Sequence, residues 1–304
     1  MSAPQPLRFG ICTDQNMPWD RTVALWRYYE SLGFDSIWVC DHYTQPSRPG
    51  GWYFEGMTAL AGLAALTTRV RVGVLVASNT FRHPALLAKE AIVIDHISHG
   101  RMEFGIGAGW FKPEHEQFGI DFQETRELVD RFREAVQVCD LLFKQERVTF
   151  AGKYYQLTDA PNVPLPVQQP RPPLTIGAKK TRMLRIAAEY ADRWNASGTA
   201  EEFRGYNDIL NEHCAALGRD PNSIIRSLYG WGSLMKADPW DSLEAFRDMV
   251  GTYGEAGANE FIIDHPRPDQ FGVLEQVAAE YLNATLNTAG TASASFRDFW
   301  QPPS

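Results

Sequence analysis

The sequence predicts an α/β chain folded as a (β/α)₈ TIM barrel with insertion segments. Three observations carry that reading. Short apolar runs alternate with amphipathic stretches along most of the chain, as repeated strand–helix units require. Eight such units can be counted with short links between them, and eight parallel strands with right-handed crossovers close on themselves. The first strand–helix turn reads CTDQNMPW, without the G-x-G-x-x-G fingerprint of a dinucleotide-binding open sheet.

The elements follow in order. Leu7–Cys12 (LRFGIC) reads as a buried strand. The next helix is capped at PWD, carries Trp19, Val23, Trp26 and Leu32 at helical spacing, and stops at Gly33. Asp35–Cys40 is the second strand, followed by the loop SRPGGW. Met57–Thr67 is a helix and Val70–Ala77 the third strand. The next helix runs from Pro84 to about Gly100, proline at its start and glycine at its end. Met102–Ile106 is the fourth strand.

A helix over Thr125–Phe143 precedes a hairpin at Val148–Leu157 with Gly152 in its turn. The connector PNVPLPVQQPRPP has a strand on each side and reads as an insertion within the barrel. Strands five to eight are Leu174–Ile176, Arg193–Ala196, Ile224–Leu234 and Glu260–Ile263. Their helices are Met183–Tyr190, Glu201–Leu217, Ser242–Gly254 and Asp269–Tyr281. Residues 1–285 are expected to form one domain. Residues 286–304 read as a polar tail whose apolar side chains are Phe296, Phe299 and Trp300.

Composition narrows the function. The 304 residues carry 29 Lys and Arg against 37 Asp and Glu, a net charge of -8. That balance excludes the dense basic surface of a general nucleic-acid binder. No run approaches the ~20 apolar residues of a membrane span, and MSAPQPLRFG lacks a secretory pattern. The four cysteines form no CxxC pair, so no metal site is expected and a reducing, cytoplasmic setting is. Cys12 and Cys40 lie in strand-like runs and read as small buried apolar side chains.

Barrel enzymes place their chemistry at the C-terminal ends of the strands. That rule selects Asp14 and Asn16, Asp41 and His42, Ala77–Asn79, Gly107–Trp110, Gly177–Lys180, Asn195–Gly198, Tyr229–Trp231, and Asp264 and His265. His42 is the sharpest candidate, because an imidazole titrates near neutral pH and serves as acid or base. His83, His96, His99, His115 and His213 lie in or beside helices and read as satisfied or solvated. Small residues at Gly107, Ala108 and Gly109 admit a planar ring or a phosphate to the backbone. Lys179, Lys180 and Arg182 beside a helix N-terminus suit a phosphate.

These stretches, in their order and spacing, resemble the luciferase-like monooxygenase superfamily. The resemblance runs from Arg8 to about Tyr281 and is carried by LGFDSIWVCDHY, TRVRVGVLVASNTFRHPALLAKEAIVIDHISHGRMEFGIGAGW and LRIAAEYADRWN. It implies a bacterial-luciferase-like barrel. The Asp41-His42 pair resembles the branch that uses the deazaflavin coenzyme F-420, and implies that Asp41 contacts the cofactor and His42 is the acid/base. A non-proline cis peptide near Leu75–Val76 would back the ring, with Ser78, Ala108 and Gly109 against the cofactor. Lys179, Lys180, Arg182 and Met183 would line its phosphate tail. Homodimers are implied as well, for which Leu86, Leu87 and Ile94 offer an apolar stripe.

The chain departs from the family's glucose-6-phosphate dehydrogenases at two places. Trp110 stands where they carry a Glu, and Thr199 where they carry a Lys. The substrate space is expected to be aromatic, lined by Trp52, Tyr53, Phe81, Trp110 and Trp231, with His265 a further candidate. The function expected is hydride transfer between F-420 and a small organic molecule. A two-component monooxygenase using reduced FMN, oxygen and a partner flavin reductase is the alternative, and a non-catalytic flavin-binding barrel the third reading. Insertions Phe111–Phe122 and Gln145–Pro173 are where specificity would lie.

Overall fold

The computed structural model describes residues 6–47, 50–231, 235 and 237–282. Its centre is a closed parallel barrel. β1 (Arg8–Thr13) pairs with β2 (Ser36–Val39) on one side and β11 (Glu260–Asp264) on the other. From β2 the circle continues through β3 (Arg71–Val74) to β5 (Met102–Gly107), with β4 (Ala77–Ser78) also on β5. It returns by β8 (Leu174–Gly177), β9 (Arg193–Ala196) and β10 (Ile225–Gly230) to β11. β3 and β4 together fill one place, so the barrel has eight staves. The strands are nearly continuous apolar runs because helices cover them outside and side chains fill them inside.

The outer helices start and stop where local chemistry dictates. α1 (Trp19–Leu32) ends at Gly33, whose φ of 98° is the left-handed cap conformation. α2 (Gly56–Ala65) is capped by the Glu55 carboxylate, and α3 (Pro84–Ile97) opens on a proline. α4 (Lys112–Phe118), α5 (Thr125–Lys144) and the antiparallel hairpin β6 (Arg147–Ala151) and β7 (Gln156–Pro161) lie between β5 and β8. α6 (Thr181–Tyr190) and α7 (Ala200–Ala216) follow β8 and β9. α7 begins with a capping box between Thr199 and Glu202. α8 (Leu243–Glu255) and α9 (Phe271–Val277) complete the ring.

Inside the barrel the Arg193 guanidinium lies 2.5 Å from Glu103 and 2.6 Å from Glu260, and Arg71 also pairs with Glu103. Three buried charges on β5, β9 and β11 thereby compensate one another.

Several expectations change. The third strand is not continuous over Val70–Ala77 but breaks at a cis Leu75–Val76 peptide, the position the resemblance implied. The segment Phe111–Phe122 contains α4, which Pro113 near its start and Gly119 at its end delimit. The seventh strand ends at Gly230, and residues 232–234 lie outside the described residues, as does the expected tail 286–304. The α3 stripe is divided, since Leu87 and Ile94 are core while Leu86 faces outward with Val93. Cys40 lies one residue beyond β2 and lines a cavity, its Sγ 3.6 Å from that of Cys12. No helix among the described residues is long and apolar enough to cross a membrane.

Candidate active site

A cavity of about 550 Å³ opens at the C-terminal ends of the strands. Its floor is the bulge at Leu75–Val76. Glycines surround the bulge for a steric reason. A Cβ at Gly107 would lie 2.8 Å from Val76 Cγ2, and one at Gly177 would lie 3.1 Å from it. Glycine at both positions lets Val76 project into the cavity between β5 and β8.

His42 stands on the β2 side. Its Nδ1 is 2.7 Å from Glu114 Oε2 of α4. The other Glu114 oxygen accepts the backbone N–H groups of Tyr43 (2.5 Å) and Thr44 (3.0 Å). Burial alone would raise the Glu114 carboxyl. The His42 hydrogen bond and charge, with the two N–H donors, outweigh burial and hold it below the ordinary carboxylate range. With Nδ1 taken, Nε2 is the His42 atom left for proton exchange. Trp110 and Phe111 meet the imidazole edge-on, at 5.8 and 6.3 Å between ring centres.

Asp41 is buried and does a different job. Its Oδ2 accepts from Ser78 N (2.7 Å) and Arg82 Nη1 (2.8 Å), and its Oδ1 from Arg82 Nη2 (2.9 Å). The pair is bidentate and fully desolvated, so it fixes the end of β2 against β4. Arg82 also reaches Glu55 at 2.9 Å. Burial would lower the Arg82 guanidinium, but Asp41 and its companion carboxylates raise it above its ordinary value.

Ser78 gives its hydroxyl to a second set of contacts. Its Oγ is 2.7 Å from Thr80 Oγ1, which is 2.6 Å from His115 Nε2; His115 Nδ1 is 2.9 Å from the Phe111 carbonyl. Across the cavity Lys179 and Lys180 lie at the start of α6, where backbone N–H groups are unpaired by helix geometry. Burial and the neighbouring Lys180 charge lower the Lys179 ammonium, with Glu202 opposing them. On the β1, β10 and β11 side the Tyr229 hydroxyl donates to Asp264 (2.7 Å) and Gln45 Nε2 to Asp14 (2.6 Å).

Most sequence candidates meet in this cavity. Asp41, His42, Leu75, Val76, Ser78, Ala108, Gly109, Trp110, Lys179, Lys180, Met183 and Trp231 all line it. Three do not. Trp52 is 63% exposed, and its neighbour Tyr53 turns to the cavity instead. Arg182 pairs with Asp130 of α5 at 2.5 Å. His265 lies behind the wall, where burial, and then Arg21, push its imidazole down to about 4. Sequence reasoning missed Glu114, Arg82, Thr80 and His115. The Pro113 and Gly119 signals of α4 could have put Glu114 on a helix beside the strand ends, as His115 already was.

The sequence profile of the luciferase-like monooxygenase family matches residues 5–263. The chain belongs to this family. Among curated relatives it is 38% identical over 144 residues to an F-420-dependent glucose-6-phosphate dehydrogenase of Kineococcus radiotolerans, a stretch covering 45% of this chain and 42% of that protein. The chain thus spans less than half of that relative. It is 26% identical over 308 residues to a protein of the same name from Beutenbergia cavernae, covering 83% of this chain and 89% of the relative. Among solved structures, an F-420-dependent secondary alcohol dehydrogenase in complex with an F-420–acetone adduct superposes with a TM-score of 0.79. It is 19% identical and covers 90% of this chain and 98% of the other. At that identity the likeness is one of fold.

Proposed function

We propose that this luciferase-like chain is an oxidoreductase that moves a hydride between coenzyme F-420 and a small organic substrate, with His42 as the acid/base. The observation that carries the reading is one cavity shared by three features: His42 anchored through Glu114, the Val76 bulge, and the Lys179–Lys180 pair. The names of the curated relatives support the same cofactor.

The residues present fit such a group. The Cβ-free positions at Gly107 and Gly177 clear a surface beside Val76 on which a planar ring can lie. When bound, the deazaflavin supplies a ring carbon that gives or takes hydride. Val76 and Ala108 would bound the ring, and Lys179 and Lys180 would meet its phosphate and acidic tail. His42 moves the accompanying proton at Nε2, while Glu114 fixes the imidazole plane and offsets the positive charge it acquires. Trp110 and Phe111 keep water from one edge of that ring. The homodimer would use the outward face of α3, where Leu86 and Val93 are exposed. The protein would act in the cytoplasm.

Anaerobic fluorescence titration with oxidised F-420 and with FMN tests the reading. F-420 is expected to bind in the micromolar range, about tenfold more weakly after Lys179→Ala with Lys180→Ala. Tight FMN binding with little response to F-420 would overturn it in favour of a two-component monooxygenase.

A further inference from the structure

We propose that Thr80 and His115 hold the Ser78 hydroxyl as a hydrogen-bond acceptor toward the cavity, so that this end of the site recognises an N–H edge of the bound ring. The inference rests on the cavity being a flavin or deazaflavin site.

The polarity of the chain can be read from its buried end. The Phe111 carbonyl can only accept, so His115 Nδ1, 2.9 Å away, carries a proton. His115 is 1% exposed and packs against the rings of Phe81 (4.9 Å) and Phe122 (4.7 Å). A buried imidazolium there would need a counter-charge. Among the described residues no carboxylate pairs with this ring, the adjacent Glu114 being turned to His42. The ring is therefore neutral, and Nε2 accepts. Thr80, 2.6 Å from Nε2, must donate its hydroxyl proton to it. Thr80 Oγ1 then accepts from Ser78, 2.7 Å away. The backbone N–H of Ser78 is also committed, to Asp41. What Ser78 offers the cavity is oxygen lone pairs.

The backbone is shaped around these two hydroxyls. Gly109 has φ +90°, and a Cβ there would lie 2.7 Å from Thr80 Oγ1 and 3.0 Å from Ser78 Oγ. The ligand chemistry follows. Flavins and deazaflavins alike carry an imide N–H flanked by two carbonyls. An acceptor-only hydroxyl matches the N–H and repels the carbonyls. Thr80 and His115 are positioning residues, since they act on the ligand through Ser78.

Nitrogen-15 NMR of histidine-labelled apoprotein tests the polarity, with His115→Gln assigning the resonances. The expected result is a neutral His115 protonated at Nδ1, whose Nε2 resonance moves in Thr80→Val. A proton on Nε2, in either the neutral or the charged ring, would overturn the proposal. Fluorescence titration with F-420 and FMN tests the consequence, on variants shown to be folded by circular dichroism. Thr80→Val and His115→Leu should each weaken the bound ring about fivefold. His115→Gln, whose Oε1 can accept from Thr80 in place of Nε2, should restore affinity to within about twofold. Unchanged affinity in Thr80→Val and His115→Leu would overturn the proposal while leaving the cofactor reading intact. A wild-type protein that binds neither ring, with the His115 tautomer as stated, would locate the failure in the cofactor reading and remove the ligand role with it.

Discussion

Glu114 Oε2 lies 2.7 Å from His42 Nδ1, and this contact joins α4 to the loop after β2 across 72 residues of chain. Trp110 follows the strand-four glycines, and Glu114, four residues later, reaches the imidazole on its Nδ1 side. Glu114→Gln keeps the shape and removes the charge that stabilises a protonated His42. Turnover should fall about 10- to 100-fold with KM nearly unchanged, whereas His42→Ala should cost about 10²-fold or more. A Glu114→Gln variant with wild-type turnover would show that His42 works without its partner.

Val76 is held forward by the absence of side chains behind it. The Cβ of Gly107→Ala would meet Val76 Cγ2 at 2.8 Å, and that of Gly177→Ala at 3.1 Å. The first contact forces a shift and the second needs only a few tenths of an ångström. Gly107→Ala should therefore weaken cofactor binding about tenfold, and Gly177→Ala about twofold, with melting temperatures close to wild type. Equal effects at the two positions would show that the Val76 contact is not what the glycines protect.

The barrel interior makes a prediction about pH. Burial alone would raise the Glu103 carboxyl, but Arg193 and then Arg71 outweigh burial and lower it below its ordinary value. A carboxylate whose folded value lies below its unfolded one stabilises the fold at neutral pH. That contribution is lost as pH falls from the ordinary carboxylate value, about 4.3, through the folded value. Urea unfolding of the wild type should thus weaken steeply below about pH 4.3. Glu103→Gln should start less stable at pH 7, with Arg193 under-compensated, and lose less on acidification. Parallel pH profiles would rule out Glu103 as a source of the acid sensitivity.

What the sequence made legible follows from the physics of each element. The barrel staves were readable because each is an apolar run between turn signals, and the strand-end rule then gathered Asp41, His42, Ser78, Lys179 and Lys180 without any structure. The missed residues depend on distances no local pattern encodes. Arg82 lies only four residues past Ser78, yet its partner Asp41 is 41 residues back in the chain. His115 read as a satisfied helix histidine, and it is satisfied, but by Thr80, which links it to Ser78 at the cavity wall. Of the adjacent loop aromatics Trp52 and Tyr53, both expected at the substrate space, only Tyr53 turns to the cavity, a choice periodicity does not encode.

The substrate side argues against transferring the relatives' substrate. Four carboxylates, Asp14, Asp41, Glu114 and Asp264, line the cavity, while among its described lining residues the lysine and arginine side chains are Lys179 and Lys180. Those two are adjacent at α6, on the far side of the barrel from β1 and β11, and under the proposed function they would hold the cofactor's phosphate. Thr199, where the family resemblance would lead one to expect a lysine, uses its hydroxyl to cap α7. A second phosphate on the β1 and β11 side would face Asp14 and Asp264, a like-charge encounter that would cost several kcal/mol. A neutral alcohol or carbonyl compound would meet hydroxyl, amide and aromatic groups there, at Tyr229, Gln45, Trp110 and Trp231. Reduction of F-420 by glucose 6-phosphate should therefore be about 10²-fold or more less efficient in kcat/KM than by the best neutral secondary alcohol in a panel. If glucose 6-phosphate proves the best donor, its phosphate must have displaced the expected charge pattern, and the assignment of Lys179 and Lys180 to the cofactor would be wrong.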